Sequence, residues 1–277
     1  MIKNRALSFL IMFLIYAAAV CLSIFLWPLF NFDYWIKLLV IDVLATVFVF
    51  IFSLIFRNAS VYDPYWSVQP IIFVVIGAII HGVTVLGILL LVAVCYWGIR
   101  LTANWAYTFK GLTHQDWRYT MLNEKTGVFY PVINFVGIHI VPTLVVYFCI
   151  LPAIVAFHNK VELNPFSIIF IALSIIAPTI QLIADIQMHT FRKNGGTGFI
   201  RTGLWKHGRH PNYLGEILMW WGIGLACFIS MPDKWYLLSG AFANTLLFLC
   251  VSIPMAENHQ ARKPGFEEYK KETRVFI

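Results

Sequence analysis

Charged residues are scarce in this chain, and their scarcity excludes most classes of soluble protein. Only 12% of the 277 residues are Asp, Glu, Lys or Arg, whereas 60% are hydrophobic and the mean hydropathy is +0.77. A soluble domain carries about twice as much charge, so this composition indicates a polytopic membrane protein. Acids are rarer than bases, 13 against 20, and the net charge of +7 favours contact with anionic headgroups or an anionic cofactor.

Several motifs for metals, nucleotides and nucleic acids are also missing. The chain has no His-Glu-x-x-His motif, and its five cysteines lie in apolar segments without metal-ligand spacing, so we expect no metal and interpret the cysteines as small buried hydrophobic residues. No Gly-x-Gly-x-x-Gly loop is present, which by itself counts against a dinucleotide cofactor. No basic stripe with groove-reading geometry occurs, so we expect no nucleic-acid partner.

The sequence does contain eight apolar segments. A helix needs about 20 residues to cross a hydrocarbon core of ~30 Å. The third segment is shorter, so we expect it to be tilted or only partly spanning. The prediction is an all-α, polytopic membrane helix bundle of about seven to eight transmembrane helices with cytosolic loops, formed by residues 1–277 as a single membrane domain. The segments are approximately 6–30, 35–56, 67–80, 83–107, 128–157, 166–188, 212–231 and 235–254.

The distribution of Lys and Arg predicts the orientation of these segments. With eight crossings and a cytosolic N-terminus that includes Lys3, 17 of the 20 basic residues lie on the cytosolic side. Only Lys37, Lys160 and Lys234 fall on the other side. Cytosolic loops of membrane proteins carry an excess of Lys and Arg, so both termini are predicted to be cytosolic. The membrane would be the cell membrane in a bacterium or the endoplasmic reticulum in a eukaryote.

The most informative stretch runs from Phe191 to Gly224, where a glycine-rich basic loop leads directly into an apolar segment. Glycines let backbone N–H groups approach an anion, and Arg and Lys add charge-assisted bonds to phosphate. Pro211 suits the first turn of a helix, whose free N–H groups also favour an anion. A cytosolic loop that only obeys topology rules is the simpler interpretation. The basic residues of the loop, with no acid among them, are Arg192, Lys193, Arg201, Lys206 and Arg209.

Asn212 and Glu216 lie four residues apart and would share one face of the helix that begins at Pro211. A carboxylate that enters the membrane without a partner is expensive, so Glu216 needs a donor. Two donors are possible at this point: the amide of a bound nicotinamide, or a basic side chain such as Arg209.

The octapeptide from Arg209 to Glu216, RHPNYLGE, followed by an apolar segment with two tryptophans, resembles the C-terminal domain of the steroid 5-alpha-reductase and sterol-reductase superfamily. Asp116-Trp117-Arg118-Tyr119 matches the D-x-R-Y element of one branch of that superfamily. The resemblance covers roughly residues 61–277. Isoprenylcysteine carboxyl methyltransferases share an R-H-P-x-Y-x-G element, so the octapeptide alone does not choose between a nicotinamide and a methyl donor.

The resemblance implies that the cytosolic side binds NADPH. In the reductases an acid and an arginine seven residues later contact the cofactor, and Asp185 and Arg192 keep that spacing. His259 matches a histidine-containing turn near the family's C-terminus, and the missing Rossmann motif is expected in this superfamily. The implied cofactor-binding residues are Asp185, Arg192, Arg201, Arg209, His210, Asn212, Tyr213, Glu216, His259, Arg118 and Tyr119.

The resemblance also implies a substrate side. Steroid 5-alpha-reductases carry a W-x-x-Q-E-x-P pattern whose Gln and Glu hold the substrate carbonyl. Here Trp66 and Gln69 match and the acid is missing. Asp63 or Tyr65 is expected to replace the acid, and Tyr96 lies beside the position of the family's catalytic tyrosine. The implied catalytic residues are therefore Gln69, Tyr96, Tyr65 and Asp63.

Three charged features within or near the spans have structural interpretations of equal weight. Asp42 suggests a polar partner or a residue that reaches the interface. Arg100 either extends to the interface or neutralises a buried anion. Asp116 and Arg118 are close enough in sequence to form a local ion pair that shapes their loop.

These features together predict a membrane enzyme that uses NADPH to reduce a carbon–carbon double bond conjugated to a carbonyl, in a steroid- or lipid-like substrate. Residues 1–110 would form the substrate side and residues 111–277 the cofactor-binding half, with membrane lipids and a hydrophobic small molecule as partners. Two alternatives stay open: a membrane methyltransferase that uses S-adenosylmethionine, and a non-catalytic lipid-binding protein.

Overall fold

A computed structural model describes residues 4–277, and every regular element within that range is helical. Lys3, which the predicted orientation counts as cytosolic, lies outside the described residues. Eight helical stretches are long and apolar enough to cross a membrane, which confirms the all-α polytopic prediction. They are Arg5–Leu29, Tyr34–Phe56, Ala59–His81, Val85–Thr108, Trp117–His158, Ser167–Lys193, Pro211–Ser230 and Pro232–Gln260. The third is 23 residues long, so its length suffices for a full crossing.

Between residues 4 and 277 the structure contains twelve α-helices, all but the last of which lie within these stretches. In chain order α1–α12 are Arg5–Leu26, Tyr34–Phe56, Tyr65–His81, Val85–Thr108, Trp117–Thr126, Tyr130–Ile133, Val141–His158, Ser167–Lys193, Pro211–Ser230, Ser239–Leu247, Ile253–Gln260 and Phe266–Glu272. Two π-helical segments, Asn134–Ile140 and Phe248–Ser252, interrupt the fifth and eighth spans.

Cα packing divides the chain into two compact units. Unit 1 comprises the chain up to Ile72 together with Leu101–Tyr147, and unit 2 comprises Phe73–Arg100 with Phe148–Ile277. The predicted single domain, with a change of role at residue 110, stays a prediction.

Unit 1 is built on an apolar and aromatic core between its first two helices and the segment that precedes α3. Met12 and Ile15 of α1 and Val49 of α2 are buried there with Val61. The side-chain amide of Asn58 donates to the backbone carbonyls of residues 112 and 114, at 2.8 and 3.1 Å. The connection after α2 therefore ties the loop after α4 to this core.

Unit 2 is organised by the close approach of α8 and α9. A Cβ on Gly222 would lie 2.8 Å from the Phe170 carbonyl oxygen and from the Ser174 nitrogen, so only glycine fits. A Cβ on Gly215 would likewise meet the Ala177 carbonyl oxygen at 2.7 Å. Small residues let membrane helices pack backbone to backbone, and here they bring the polar groups of α8 and α9 together.

The C-terminal residues pair with the loop that precedes α9. The Arg209 nitrogen donates to the Arg274 carbonyl at 2.9 Å, and the His210 nitrogen donates to the Val275 carbonyl at 3.1 Å. The hydroxyl of buried Tyr269 on α12 donates to the Trp205 carbonyl at 3.0 Å. These bonds hold the basic loop against the end of the chain.

Candidate functional site

The carboxylate of Glu216 is the centre of a buried polar cluster in unit 2. Its Oε2 accepts from the indole N–H of Trp97 at 2.8 Å and from the amide of Gln181 at 2.7 Å. Its Oε1 accepts from the indole N–H of Trp220 at 2.9 Å. Glu216 is only 7% exposed, so three neutral donors replace the water that a carboxylate would otherwise need.

Arg209 is not a partner of Glu216, so that alternative for the Glu216 donor is wrong. The Arg209 side chain donates from Nε to Glu257 at 2.7 Å and is 6% exposed. It also donates to the backbone carbonyl of Thr273. Since α9 begins at Pro211, Arg209 precedes the helix and is directed to the C-terminal segment, whereas Glu216 lies in the second turn inside the bundle.

A second charged pair joins α4 to α8 in the same unit. Arg100 Nη1 lies 2.9 Å from Asp185 Oδ2, with side chains 5% and 16% exposed. Arg100 therefore neutralises a buried anion, and Asp185, predicted to bind cofactor, is its partner. Trp97 lies three residues before Arg100, and Gln181 lies four residues before Asp185. Two of the Glu216 donors, Trp97 and Gln181, thus lie one turn away from Arg100 and Asp185 on the same two helices.

Three atoms of this arrangement have unused hydrogen-bonding capacity. Arg100 Nε is a buried donor without an acceptor, and Gln181 Oε1 is a buried acceptor without a donor. Glu216 Oε1 accepts only one bond although a carboxylate oxygen can accept two. Buried polar atoms are nearly always paired, so unused ones inside a span point to a ligand or to water.

The basic loop divides into exposed and engaged residues. Arg192, Lys193 and Lys206 are exposed and form no ion pair within residues 4–277. Arg201 pairs with Glu272 on α12, and both side chains are about half exposed. Gly195 and Gly198 have φ of 75° and 78°, which the loop needs in order to turn.

His210 and Tyr213 stack at the start of α9, with ring centroids 5.1 Å apart and planes 9° apart. Burial lowers the pKa of His210, and Glu257, 3.4 Å from Nε2, opposes that shift only in part. The structure brings Asp185, Arg209, His210, Asn212, Tyr213 and Glu216 into unit 2, as it does Arg192, Arg201 and His259.

Two of the other predicted residues, Tyr65 and Gln69, belong to a separate buried cluster in unit 1 around Asp42. The Tyr65 hydroxyl donates to Asp42 Oδ1 at 2.7 Å, and the Gln69 amide donates to Oδ2 at 3.0 Å. Asp42 is 2% exposed and was absent from the predicted site residues. An acid inside an apolar span was the sequence feature that marked Asp42. Its partners lie on another helix, so the spacing of residues along the chain could not identify them.

Asp63 is hydrogen-bonded to the D-x-R-Y element, and neither is part of the Asp42 cluster. The Tyr119 hydroxyl donates to Asp63 at 2.7 Å, and Asp116 caps α5 through the Arg118 nitrogen at 2.9 Å. Arg118 Nε is 2.8 Å from Asp116, which is the local ion pair considered above. Burial opposes ionisation of Asp116, but the Arg118 guanidinium outweighs it and lowers the pKa of the carboxyl.

Tyr96, the predicted proton donor, belongs to unit 2, whereas Gln69 and Tyr65 belong to unit 1. The Tyr96 hydroxyl is 3.0 Å from the Thr179 hydroxyl on α8. Within the described range no three His, Cys, Asp or Glu side chains are grouped so that they could hold a metal ion.

Eight apolar helices with paired charges and amides inside them define a polytopic helical membrane protein. The family described as "Protein of unknown function (DUF1295)" matches residues 49–273. The chain belongs to this family, within the steroid 5-alpha-reductase superfamily.

Curated relatives match a shorter part of the chain. It is 32% identical to 3-oxo-5-alpha-steroid 4-dehydrogenase 1 of Mus musculus over 109 residues, which is 38% of this chain and 39% of that protein. Over 100 residues it is 33% identical to the protein of the same name from Homo sapiens, covering 35% of this chain and 36% of the relative. The match thus spans less than two fifths, 36–39%, of the length of these relatives. No solved structure matches the chain.

Proposed function

We propose that this protein is a membrane-embedded, NADPH-dependent reductase of a carbon–carbon double bond conjugated to a carbonyl, in a steroid- or lipid-like substrate. The observation that carries the proposal is that Arg100 Nε, one turn along α4 from the Glu216 donor Trp97, is a buried donor without an acceptor, while Gln181 Oε1 and Glu216 Oε1 have acceptor capacity to spare. A carboxamide offers one carbonyl acceptor and two N–H donors, so it is complementary to this set. Nicotinamide carries a carboxamide, and bound NADPH would supply the hydride.

The exposed bases of the loop suit the phosphates of the same cofactor. Arg192, Lys193 and Lys206 are exposed and form no ion pair with an acid among the described residues, so their side chains are available to bind phosphate. The Arg209 side chain is already paired with Glu257. In this proposal Arg209 therefore positions the loop and does not bind phosphate.

The methyltransferase alternative gains no support from these contacts. S-adenosylmethionine has a sulfonium cation and lacks both a phosphate and a carboxamide. A loop without acids is therefore a poor match for it.

The proposal assigns the substrate carbonyl to the Asp42 cluster of unit 1. The Gln69 amide has two N–H donors and gives one to Asp42, so the other can donate to a carbonyl oxygen. Asp42 fixes the orientation of Gln69 and Tyr65. A preorganised donor to a developing enolate oxygen contributes about 3 kcal/mol, so Gln69→Leu should lower the rate by ~10²–10³. The names of the curated relatives support a 3-oxo steroid as the first substrate to assay.

The experiment that tests the cofactor is the NADPH affinity of the Glu216→Gln variant. A glutamine has one oxygen for the donors that two carboxylate oxygens now accept, and its N–H₂ repels a carboxamide donor. Loss of a charged hydrogen bond of about 1.5–3 kcal/mol should weaken NADPH binding about 10- to 100-fold. Affinities are measured by titration of both purified proteins in the same detergent, with S-adenosylmethionine titrated in parallel.

Asp42→Asn is the matched control, because it makes the same chemical change in the cluster of unit 1 and should leave NADPH affinity unaltered. If S-adenosylmethionine stabilised the wild-type protein against unfolding and NADPH did not, the proposed reductase function would be wrong. Unchanged NADPH affinity of Glu216→Gln, with a lower melting temperature of the free protein, would reduce Glu216 to a structural role.

We also propose that both termini and the loop of residues 190–210 face the cytosol, as the 17 to 3 distribution of basic residues predicts. A Lys206→Cys variant in a background without the five natural cysteines offers an exposed position in the loop. A membrane-impermeant maleimide should label it only after the cytosolic side has been opened. Labelling of intact cells would place the loop outside and remove its access to cytosolic NADPH.

A further inference from the structure

The π-helical segment Asn134–Ile140 of unit 1 contains two buried polar side chains that no part of the two clusters above uses. His139 is fully buried and Asn134 is 2% exposed. π-helical turns in longer helices occur often at functional sites, because they redirect side chains at the cost of regular hydrogen bonds. The buried polar atoms of both side chains therefore require hydrogen-bond partners.

One atom of each side chain is without a hydrogen-bond partner. His139 Nδ1 lies 2.9 Å from the Asn134 carbonyl oxygen, which only accepts, so Nδ1 carries the hydrogen of the neutral ring. Nε2 is then an acceptor, and no donor reaches it. The Asn134 amide nitrogen donates to Ser53 at 2.9 Å, and Asn134 Oδ1 has no partner. Turning the amide over would exchange these atoms and leave the nitrogen unpaired instead.

The side chains of Asn134 and His139 both contact the same turn of α2. His139 packs against the Phe50 ring with centroids 5.2 Å apart, and Asn134 bonds Ser53, which is three residues further along α2. Residues three apart on a helix are neighbours on one face. The Tyr62 ring, 4.6 Å from the His139 ring, borders the same place and is itself buried.

We propose that Asn134 and His139 form a binding site for a single hydroxyl group, supplied either by an internal water or by a hydroxyl-bearing sterol-like molecule. A water has two hydrogens and can donate to both His139 Nε2 and Asn134 Oδ1. A sterol hydroxyl has one hydrogen, so it donates to Nε2 and accepts from the Asn134 amide nitrogen, with the amide turned over and Ser53 donating to Oδ1. Buried polar atoms are nearly always hydrogen-bonded, so each of these acceptors calls for a donor. This site is independent of the proposed reductase.

The test is the nitrogen NMR signal of His139 Nε2 in the full chain, labelled with ¹⁵N-histidine and reconstituted in phosphatidylcholine nanodiscs. His139→Phe identifies the signal among the eight histidines, and His158→Phe is the control that should leave it unchanged. We expect Nε2 to resonate as a hydrogen-bonded acceptor. If it does so without any sterol, water supplies the hydroxyl.

If the bonded signal forms on addition of cholesterol and not of cholestane, which lacks the hydroxyl, a sterol supplies it. An unbonded Nε2 signal under all three conditions would overturn the proposal. Asn134→Leu provides a second readout if His139→Phe does not fold. It removes the other half of the site and should move Nε2 toward the unbonded position, and an unmoved signal would show that the two residues do not share a ligand.

Discussion

In each unit one fully buried acid within a membrane span is satisfied by neutral donors alone. Asp42 in unit 1 accepts one bond on each oxygen, from Tyr65 and Gln69, and the three residues have no unpaired buried atom. Glu216 in unit 2 accepts three bonds, yet unpaired atoms of Arg100 and Gln181 lie in the same arrangement. The Asp42 cluster is thus suited to holding Gln69 in position with one N–H left for a carbonyl, whereas the Glu216 cluster includes side-chain atoms that have no partner at all and is suited to receiving a ligand with both donors and acceptors.

The comparison is tested most strongly by removing each acid. Glu216→Leu removes the acceptor of three buried donors, whereas Asp42→Val strands only the Gln69 amide, because the Tyr65 hydroxyl keeps the backbone carbonyl of residue 42 as an acceptor, at 3.2 Å. Each stranded donor costs about 1–3 kcal/mol. We therefore expect both variants to melt earlier than the wild type, with the larger loss for Glu216→Leu. Thermal unfolding of the cofactor-free proteins in one detergent measures the difference. A larger loss for Asp42→Val would show that donor number does not determine the cost.

Two Arg–Glu pairs near the basic loop, outside both clusters, test how burial determines the cost of losing a partner. Arg209 and Glu257 are 6% and 16% exposed, whereas Arg201 and Glu272 are 46% and 56% exposed. Arg209→Ala removes the closest partner of the largely buried Glu257 carboxylate, which keeps only the longer contacts with His210 and Lys270, at 3.4 and 3.7 Å. The loss should therefore lie at the lower end of the about 3–5 kcal/mol that breaking a buried ion pair costs. Arg201→Ala should cost less than about 1 kcal/mol, because solvent screens the exposed pair. Melting temperatures that fall equally would contradict this reading of burial.

His210 gives the smallest expected effect, a pH dependence of stability. Burial lowers its pKa below the ordinary 6.5, so the unfolded chain binds more protons than the folded chain just below that pH. The stabilisation from a neutral His210 is complete above pH 6.5 and is lost as the pH falls through the folded pKa. His210→Gln should flatten the melting temperature in this window, and a slope equal to that of the wild type would show that another group titrates.

Much of the fold could be predicted from local patterns in the sequence. Apolar run lengths predicted eight spans, and all eight are present, because a helix in lipid satisfies its own backbone within the segment. Pro211 starts α9 as expected, since its fixed φ suits the first turn. The Asp116–Arg118 ion pair could also be predicted from the sequence, because its members are two residues apart.

The partners of the buried charges were decided only by the tertiary structure. Asp42 and Gln69 are 27 residues apart, Arg209 and Glu257 are 48 apart, and Trp97 and Glu216 are 119 apart. Spacing along one helix predicts which side chains share a face, but it carries no information on which helix that face meets. That choice depends on packing, and in unit 2 it follows from glycines such as Gly222 that let α8 and α9 touch. The sequence by itself thus determined the spans and the acids inside them, and the packing of the helices decided which donors each acid receives.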